Sequence, residues 1–264
     1  MKAIIPAAGH GTRFLPVTRV IPKEMLPIGA KPALELIVEE AKSAGADEIV
    51  MVISKGKELI REYFKDDPSI AFVYQPEQKG LGHAVLQAEE ALGEAEGNVL
   101  ILLGDALVAG CNAAQAMAAV SAEHGGAGVI GLECVPPEKV SRYGIVKPGV
   151  QPIDQSTNRT IPIVDLMEKP RPEEAPSDLA IAGRYLLPAR IFDYLKTQVP
   201  GRGGEIQLTD AIRRMVRDMS QSTNRAIEQS NNIFGYIYPG KRQDIGNPLG
   251  YLDALLAMRA ASQV

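Results

Sequence analysis

Tryptophan is absent from this 264-residue chain, and only two cysteines and three histidines occur in it. Two cysteines cannot build a disulfide scaffold, and without a Cys-x-x-Cys pair or clustered histidines no zinc site is indicated. Cys111 and Cys134 both sit in apolar sequence, which predicts buried free thiols in a reducing cytosol. No stretch reaches the roughly 18 consecutive apolar residues of a membrane span. The opening Met-Lys-Ala-Ile-Ile-Pro is too short an apolar run for a signal peptide, so a cytoplasmic protein is expected. A basic excess is also missing. The 28 basic residues face 32 acidic ones, for a net charge of −4, which argues against nucleic acid as a partner.

What is present describes an ordinary globule, 45% hydrophobic and 23% charged. Its charge is unevenly spread. Residues 1–31 carry Lys2, Arg13, Arg19, Lys23 and Lys31 against Glu24 alone, a local +4 that leaves −8 for the remainder. A basic patch on an acidic protein suggests a small anionic ligand.

Short apolar runs alternate with longer amphipathic segments, the pattern of a parallel sheet covered by helices. Ala3–Ile5, Ile49–Ile53, Ile70–Tyr74 and Val99–Leu103 read as buried strands. Leu34, Ile37, Val38 and Ala41 share one helical face, as do Leu81, Ala84, Val85 and Ala88. Leu208, Ala211, Ile212, Met215 and Val216 make a third such face, and a last helix is expected from about Leu249 onward. Farther along, Gly128–Val135, Gly144–Lys147, Ile161–Met167 and Leu179–Leu186 read as strands without long helices between them. The expected fold is α/β: a Rossmann-like, doubly wound, mostly parallel sheet flanked by helices, with a β-rich lobe. No linker divides the chain, so residues 1–264 read as one domain with halves of about 1–110 and 111–264. Residues 149–160 and 220–231 are loop-like, and both hold the string Gln-Ser-Thr-Asn-Arg, for which we have no physical account.

The first strand runs into Ala7-Ala8-Gly9-His10-Gly11-Thr12-Arg13. Small residues in such a turn let backbone N–H groups approach a phosphate. Phe14 stands where a dinucleotide fingerprint needs its third glycine, and Thr12-Arg13 replaces the Lys-Ser/Thr of a P-loop. Beyond the turn, Pro16, Pro22 and Pro27 stiffen a loop bearing Arg13 and Lys23, a plausible grip for a polyphosphate. Asp105 ends an apolar strand, a position that faces the ligand crevice in open α/β sheets but also suits a structural cap.

These landmarks make the chain resemble the sugar-phosphate nucleotidyltransferases, and most closely the bacterial UTP–glucose-1-phosphate uridylyltransferase group. The resemblance is carried by GHGTRFLPVTRVIPKEMLPI (9–28), GLGHAV (80–85), LGD (103–105) and VPPEKVSRYGIV (135–146). It continues in EKPRPEEAPSDLAIAGRY (168–185), GGEIQLTDA (203–211) and DIGNPLGYL (244–252). It implies transfer of a uridylyl group from UTP to glucose 1-phosphate, giving UDP-glucose and pyrophosphate.

By that resemblance Ala7, Ala8, Gly9 and Gly11 form the nucleotide cradle, with Glu24 and Gly80 also at the nucleotide and Arg13 and Lys23 on the triphosphate. Gln75 reads uracil, since an amide can donate to a base oxygen and accept from the ring N–H. Asp105 and Asp244 hold Mg²⁺, which favours carboxylates together with substrate phosphates. Tyr143, Gly144, Glu168 and Ile181 contact the sugar, and Lys169 binds its phosphate. For Glu168 and Lys169 to face one ligand, the strand must end or bulge there. The resemblance also implies a homodimer or homotetramer, with the apolar C-terminal segment as a candidate interface.

His10, Ala106, Gln243 and a short 64–72 segment depart from the group's usual pattern. The same chemistry with dTTP, CTP or another hexose 1-phosphate stays open, as does a catalytically silent regulatory homologue. None of the three histidines is expected to act as a base, and His83 is expected to order the glycine loop beside it.

Overall fold

Aliphatic runs too short for helices become strands wherever both faces can be covered, and here they join one mixed sheet. A computed structural model describes residues 1–149, 159–221 and 232–261. In chain order the first half contains β1 (Lys2–Pro6), β2 (Pro27–Ile28), β3 (Lys31–Pro32), α1 (Ala33–Ser43), β4 (Glu48–Ile53), α2 (Glu58–Tyr63), β5 (Ile70–Tyr74), α3 (Leu81–Gln87), α4 (Glu89–Leu92) and β6 (Asn98–Leu102). There follow β7 (Ala106–Ala109), α5 (Ala113–Glu123), β8 (Gly128–Cys134), β9 (Gly144–Pro148), β10 (Thr160–Glu168) and β11 (Leu179–Pro188). The described residues close with α6 (Ile191–Lys196), α7 (Leu208–Gln221), β12 (Ile233–Ile237), β13 (Lys241–Asp244) and α8 (Pro248–Ala261).

The large sheet has the order β5-β4-β1-β6-β11-β8-β12-β10-β9. Its first four strands are parallel, and β11 then pairs antiparallel with β6. Beyond that point β12 and β8 are parallel, while β8–β11, β12–β10 and β10–β9 are antiparallel. The doubly wound expectation holds, with the parallel pairing concentrated in the N-terminal half.

Alternate residues of the strands feed two cores. Ile4, Val50, Val52 and Ile101 pack with Ala84 and Val85 of α3 and Ile212 and Met215 of α7. Ala3, Ile5, Met51 and Leu100 face the other way, onto Leu34, Ile37 and Val38 of α1. Glu40 of α1 is tied to the fully buried Arg184 of β11 by a contact of 2.6 Å, which pins the helix across the sheet.

Helix α5 escapes sequence reading because its buried face is Ala113, Ala114, Met117, Val120 and Ser121, with only two large apolar members. Cys134 corrects another expectation. It is exposed, because β8 leaves the core over its last two residues, and Cys111 is half-buried. Apart from their ends, the stretches 149–160 and 220–231 and both copies of the repeated pentapeptide lie outside the described residues. No helix among the described residues is long and apolar enough to cross a membrane.

Candidate active site

Strands β1 and β6 are adjacent and parallel, but the chain winds away from them in opposite directions. Their following loops therefore diverge and leave a crevice at the carboxyl ends. Residues 7–11 fill one side of it and Leu103–Asp105 the other. Gly104 N–H donates to the Pro6 carbonyl at 3.1 Å, Ala7 N–H to Val52 at 2.7 Å, and Gln78 Nε2 to the Ala8 carbonyl at 3.1 Å. The glycine turn is thus fixed from three sides.

Two cavities meet at this turn. One of about 310 Å³ is lined by Ala8, Gly9, Lys23, Gln75, Gly80 and Asp105. The other, about 250 Å³, shares Gly9 and Lys23 and adds His10, Arg19, Lys55 and Lys57. Arg13 sits exposed on the short turn Thr12–Phe14 and makes no ion pair among the described residues. The prolines act as expected, because residues 12–25 form only three short 3₁₀ turns. A larger, mainly apolar cavity of about 510 Å³ lies between α1, β7 and α8, away from these cations.

Burial sets the charge states here. Glu24 lines the first cavity, yet both its carboxylate oxygens are engaged by Lys57 Nζ at 2.8 Å. Lys57 also donates to the Ala7 carbonyl at 2.6 Å. Desolvation raises the Glu24 pKa and lowers that of Lys57, while their mutual attraction works against both shifts. Through Lys57, Glu24 supports the glycine turn at the Ala7 carbonyl. Lys23 Nζ lies against the Asp105 carboxylate. Burial opposes the charge on each, but the attraction outweighs it, holding the Lys23 pKa up and the Asp105 pKa down.

The antiparallel pair β13–β7 sets Asp244 opposite Ala106 and so brings it beside Asp105. A Cβ on Gly246 would lie 2.9 Å from Asp105 Oδ2 and 3.0 Å from Asp244 Oδ1. Glycine keeps that space open between two carboxylates, with Asp244 further oriented by Gly246 N–H at 2.9 Å and Asn247 Nδ2 at 3.1 Å. Among the described residues no group of three or more Asp, Glu, His or Cys could hold a metal unaided. Two carboxylates facing one gap fit a magnesium-type ion that takes its other ligands from phosphates and water.

Gln75 follows β5 and is buried. Its Nε2 donates to the Gly80 carbonyl at 3.1 Å and stands 3.0 Å from His83 Nδ1. Its carbonyl oxygen makes no hydrogen bond among the described residues. Both amide hydrogens are thus engaged within the protein, and the carbonyl oxygen is left without a partner among the described residues. Gly80 needs its φ of +99°, and a Cβ there would meet the Ile206 carbonyl at 2.8 Å. Ile206 N–H donates to Lys79 at 2.7 Å and Gly82 N–H to Ile206 at 2.8 Å, strapping the glycine loop to the segment that leads into α7.

At the other end, β10 stops at Glu168, and Lys169 takes the left-handed φ of +46°. The expected break in the strand is there. It brings Lys169 Nζ to 3.1 Å from Glu168 Oε1. A Cβ on Gly144 would sit 3.2 Å from Glu168 Oε2 and 2.9 Å from both Ile181 Cδ1 and Thr209 Oγ1, so these four converge. The Tyr143 ring carries the Arg242 guanidinium 4.1 Å above it. Asp210 is close by, its pKa raised by desolvation and by Glu168. Arg19 belongs to the basic N-terminal patch, whereas sequence alone does not point to Lys55, Lys57, Gln78, Thr209 and Asp210, although each lies on a loop after a strand or at the start of a helix.

The family model described as nucleotidyl transferase matches residues 2–260. The UTP–glucose-1-phosphate uridylyltransferase 2 of Staphylococcus saprophyticus is 41% identical over 276 residues, covering 95% of this chain and 89% of that protein. A UTP–glucose-1-phosphate uridylyltransferase of Staphylococcus haemolyticus has the same identity and coverage. A UDP-glucose pyrophosphorylase solved with UDP-glucose superposes with a TM-score of 0.84 at 33% identity, covering 98% of each chain. A UTP-bound enzyme from Acinetobacter baumannii gives 0.77 at 35%, covering 97% of this chain and 92% of that one.

Proposed function

The chain belongs to the nucleotidyl transferase family, and from that premise we propose that it is a UTP–glucose-1-phosphate uridylyltransferase. It converts UTP and α-D-glucose 1-phosphate to UDP-glucose and pyrophosphate. An oxygen of the sugar phosphate attacks the α-phosphorus of UTP in line, and the bond to the β-phosphate oxygen breaks as pyrophosphate leaves.

The nucleophile has a second pKa near about 6 and is already ionised at neutral pH, so no side chain need act as a base. The task of the protein is to hold two polyanions in register. Ala7, Ala8, Gly9 and Gly11 offer backbone N–H groups, Gln75 and Gly80 hold the base, and Arg13 and Lys23 lie along the triphosphate. Arg19 and Lys55 extend the positive wall towards the departing pyrophosphate. Glu168, Gly144, Ile181 and Tyr143 hold the sugar, with Lys169 on its phosphate. Asp105 and Asp244 would hold a divalent cation such as Mg²⁺, which when bound offsets charge on the phosphates.

One observation carries this reading: Lys23 is shared by a cavity bordered by Gln75 and Asp105 and a cavity walled by cations, while Asp105 and Asp244 both approach the gap at Gly246. We read residues 1–110 as the nucleotide half and 111–264 as the sugar-phosphate half of one cytoplasmic domain. Exposed Leu249, Leu252 and Leu256 on α8 suit contact with another copy in a homodimer or homotetramer. Release of pyrophosphate from UTP with glucose 1-phosphate, and much slower release with CTP, ATP or mannose 1-phosphate, is the expected assay result. Equal rates with every nucleotide would remove the uridylyl assignment.

A further inference from the structure

The geometry points to His83 as the positioning residue that holds Gln75 in an acceptor-only state, so that the site selects a pyrimidine bearing an N3–H. The inference rests on the nucleotide assignment above and adds to it how one base is told from another.

A carbonyl oxygen can only accept, so the Gly80 carbonyl, 3.1 Å away, fixes which end of the Gln75 amide is nitrogen. Gly80 cannot easily yield. Its positive φ and the Ile206 strap on both sides hold it in place. The second amide hydrogen then faces His83 Nδ1 at 3.0 Å. That nitrogen must be the bare one, which leaves the ring proton on Nε2; the Gln87 Nε2 at 3.4 Å from that atom is itself a donor, directed to the His83 carbonyl, and makes no hydrogen bond with it. Both hydrogens of Gln75 are consumed within the protein, and Oε1 alone is left for a ligand in the cavity.

An oxygen acceptor pairs with the N3–H of uracil or thymine. Against cytosine it would face the bare N3 acceptor, leaving two lone-pair groups opposed in a partly desolvated pocket. A His83 protonated on Nδ1 would place a donor against the amide nitrogen and so leave the second amide hydrogen available to an acceptor such as cytosine N3. Glu77 and Lys79 are the charged groups acting on this ring, and burial together with Lys79 lowers its pKa, which keeps the acceptor available.

The test compares kcat/KM for UTP and CTP in the wild type, His83→Leu and His83→Asn. Leucine supplies no acceptor, whereas the asparagine oxygen can take the place of Nδ1. His83→Leu should lower the UTP:CTP ratio by about tenfold or more, and His83→Asn should keep it within about threefold, with the KM for glucose 1-phosphate unchanged in both. A folded His83→Leu with the wild-type ratio would overturn the inference. Should that variant not fold, the pH dependence decides. The wild-type ratio should stay level above about pH 6.5 and fall as the pH is lowered below it, while that of His83→Asn stays level throughout, and parallel profiles would overturn it equally. A wild-type protein inactive with UTP would instead defeat the nucleotide assignment itself.

Discussion

Lys57 and Glu24 form a buried ion pair beneath the glycine turn, each 6% exposed or less, with Lys57 also bound to the Ala7 carbonyl. Removing one partner of such a pair leaves an uncompensated charge, at a cost of about 3–5 kcal/mol. Lys57→Met should therefore destabilise the protein strongly in urea unfolding. The double change Lys57→Met with Glu24→Leu should recover much of that loss, because no lone charge then remains. A double-variant loss equal to the sum of the separate Lys57→Met and Glu24→Leu losses would show that the pair is not coupled.

Asp105 and Asp244 face a single gap held open by Gly246. Asp105→Asn and Asp244→Asn should each remove most activity and raise the Mg²⁺ concentration needed for half-maximal rate. Their combination should cost far less than the two losses added together, since they serve one ion. Wild-type metal dependence in Asp244→Asn would take that residue out of the site.

Much of this arrangement is legible in the sequence, for identifiable reasons. Strands β1, β4, β5 and β6 are continuous aliphatic runs, and the glycine turn and its prolines constrain the backbone locally. What escapes reading depends on distant partners. Nothing near Glu24 announces Lys57, 33 residues on. The amide of Gln75 can be oriented only once Gly80 and His83 are in place. β7 and β13 are four-residue strands stabilised by pairing with each other, and their role is to bring Asp244 to Asp105.

Asp165 bridges Arg213 at 2.8 Å and Arg217 at 3.0 Å, joining β10 to α7 behind the sugar end. Burial opposes its charge, but the two arginine hydrogen bonds prevail and hold its pKa down to about 2. A depressed carboxyl contributes stability above its unfolded value, 3.8, that is lost as pH falls towards the folded one. The unfolding free energy of the wild type should drop across that window, and Asp165→Asn should flatten the drop while lowering stability at neutral pH. Parallel curves for the two proteins would exclude the bridge as the cause.

Glu168, with Gly144 and Thr209 about it, is placed to accept hydrogen bonds from sugar hydroxyls. Glu168→Ala should raise the KM for glucose 1-phosphate at least about tenfold and leave that for UTP nearly intact. Comparable rises in both would indicate a structural role only.

The central claim is attack by the sugar phosphate on the α-phosphorus of UTP, and isotope tracing tests it most directly. Glucose 1-phosphate carrying ¹⁸O in its phosphate oxygens is incubated with unlabelled UTP and the purified protein, and the products are weighed by mass spectrometry. The account predicts that all of the label is retained in UDP-glucose and that the pyrophosphate is unlabelled. Label in the pyrophosphate, or UTP consumed without formation of UDP-glucose, would contradict it.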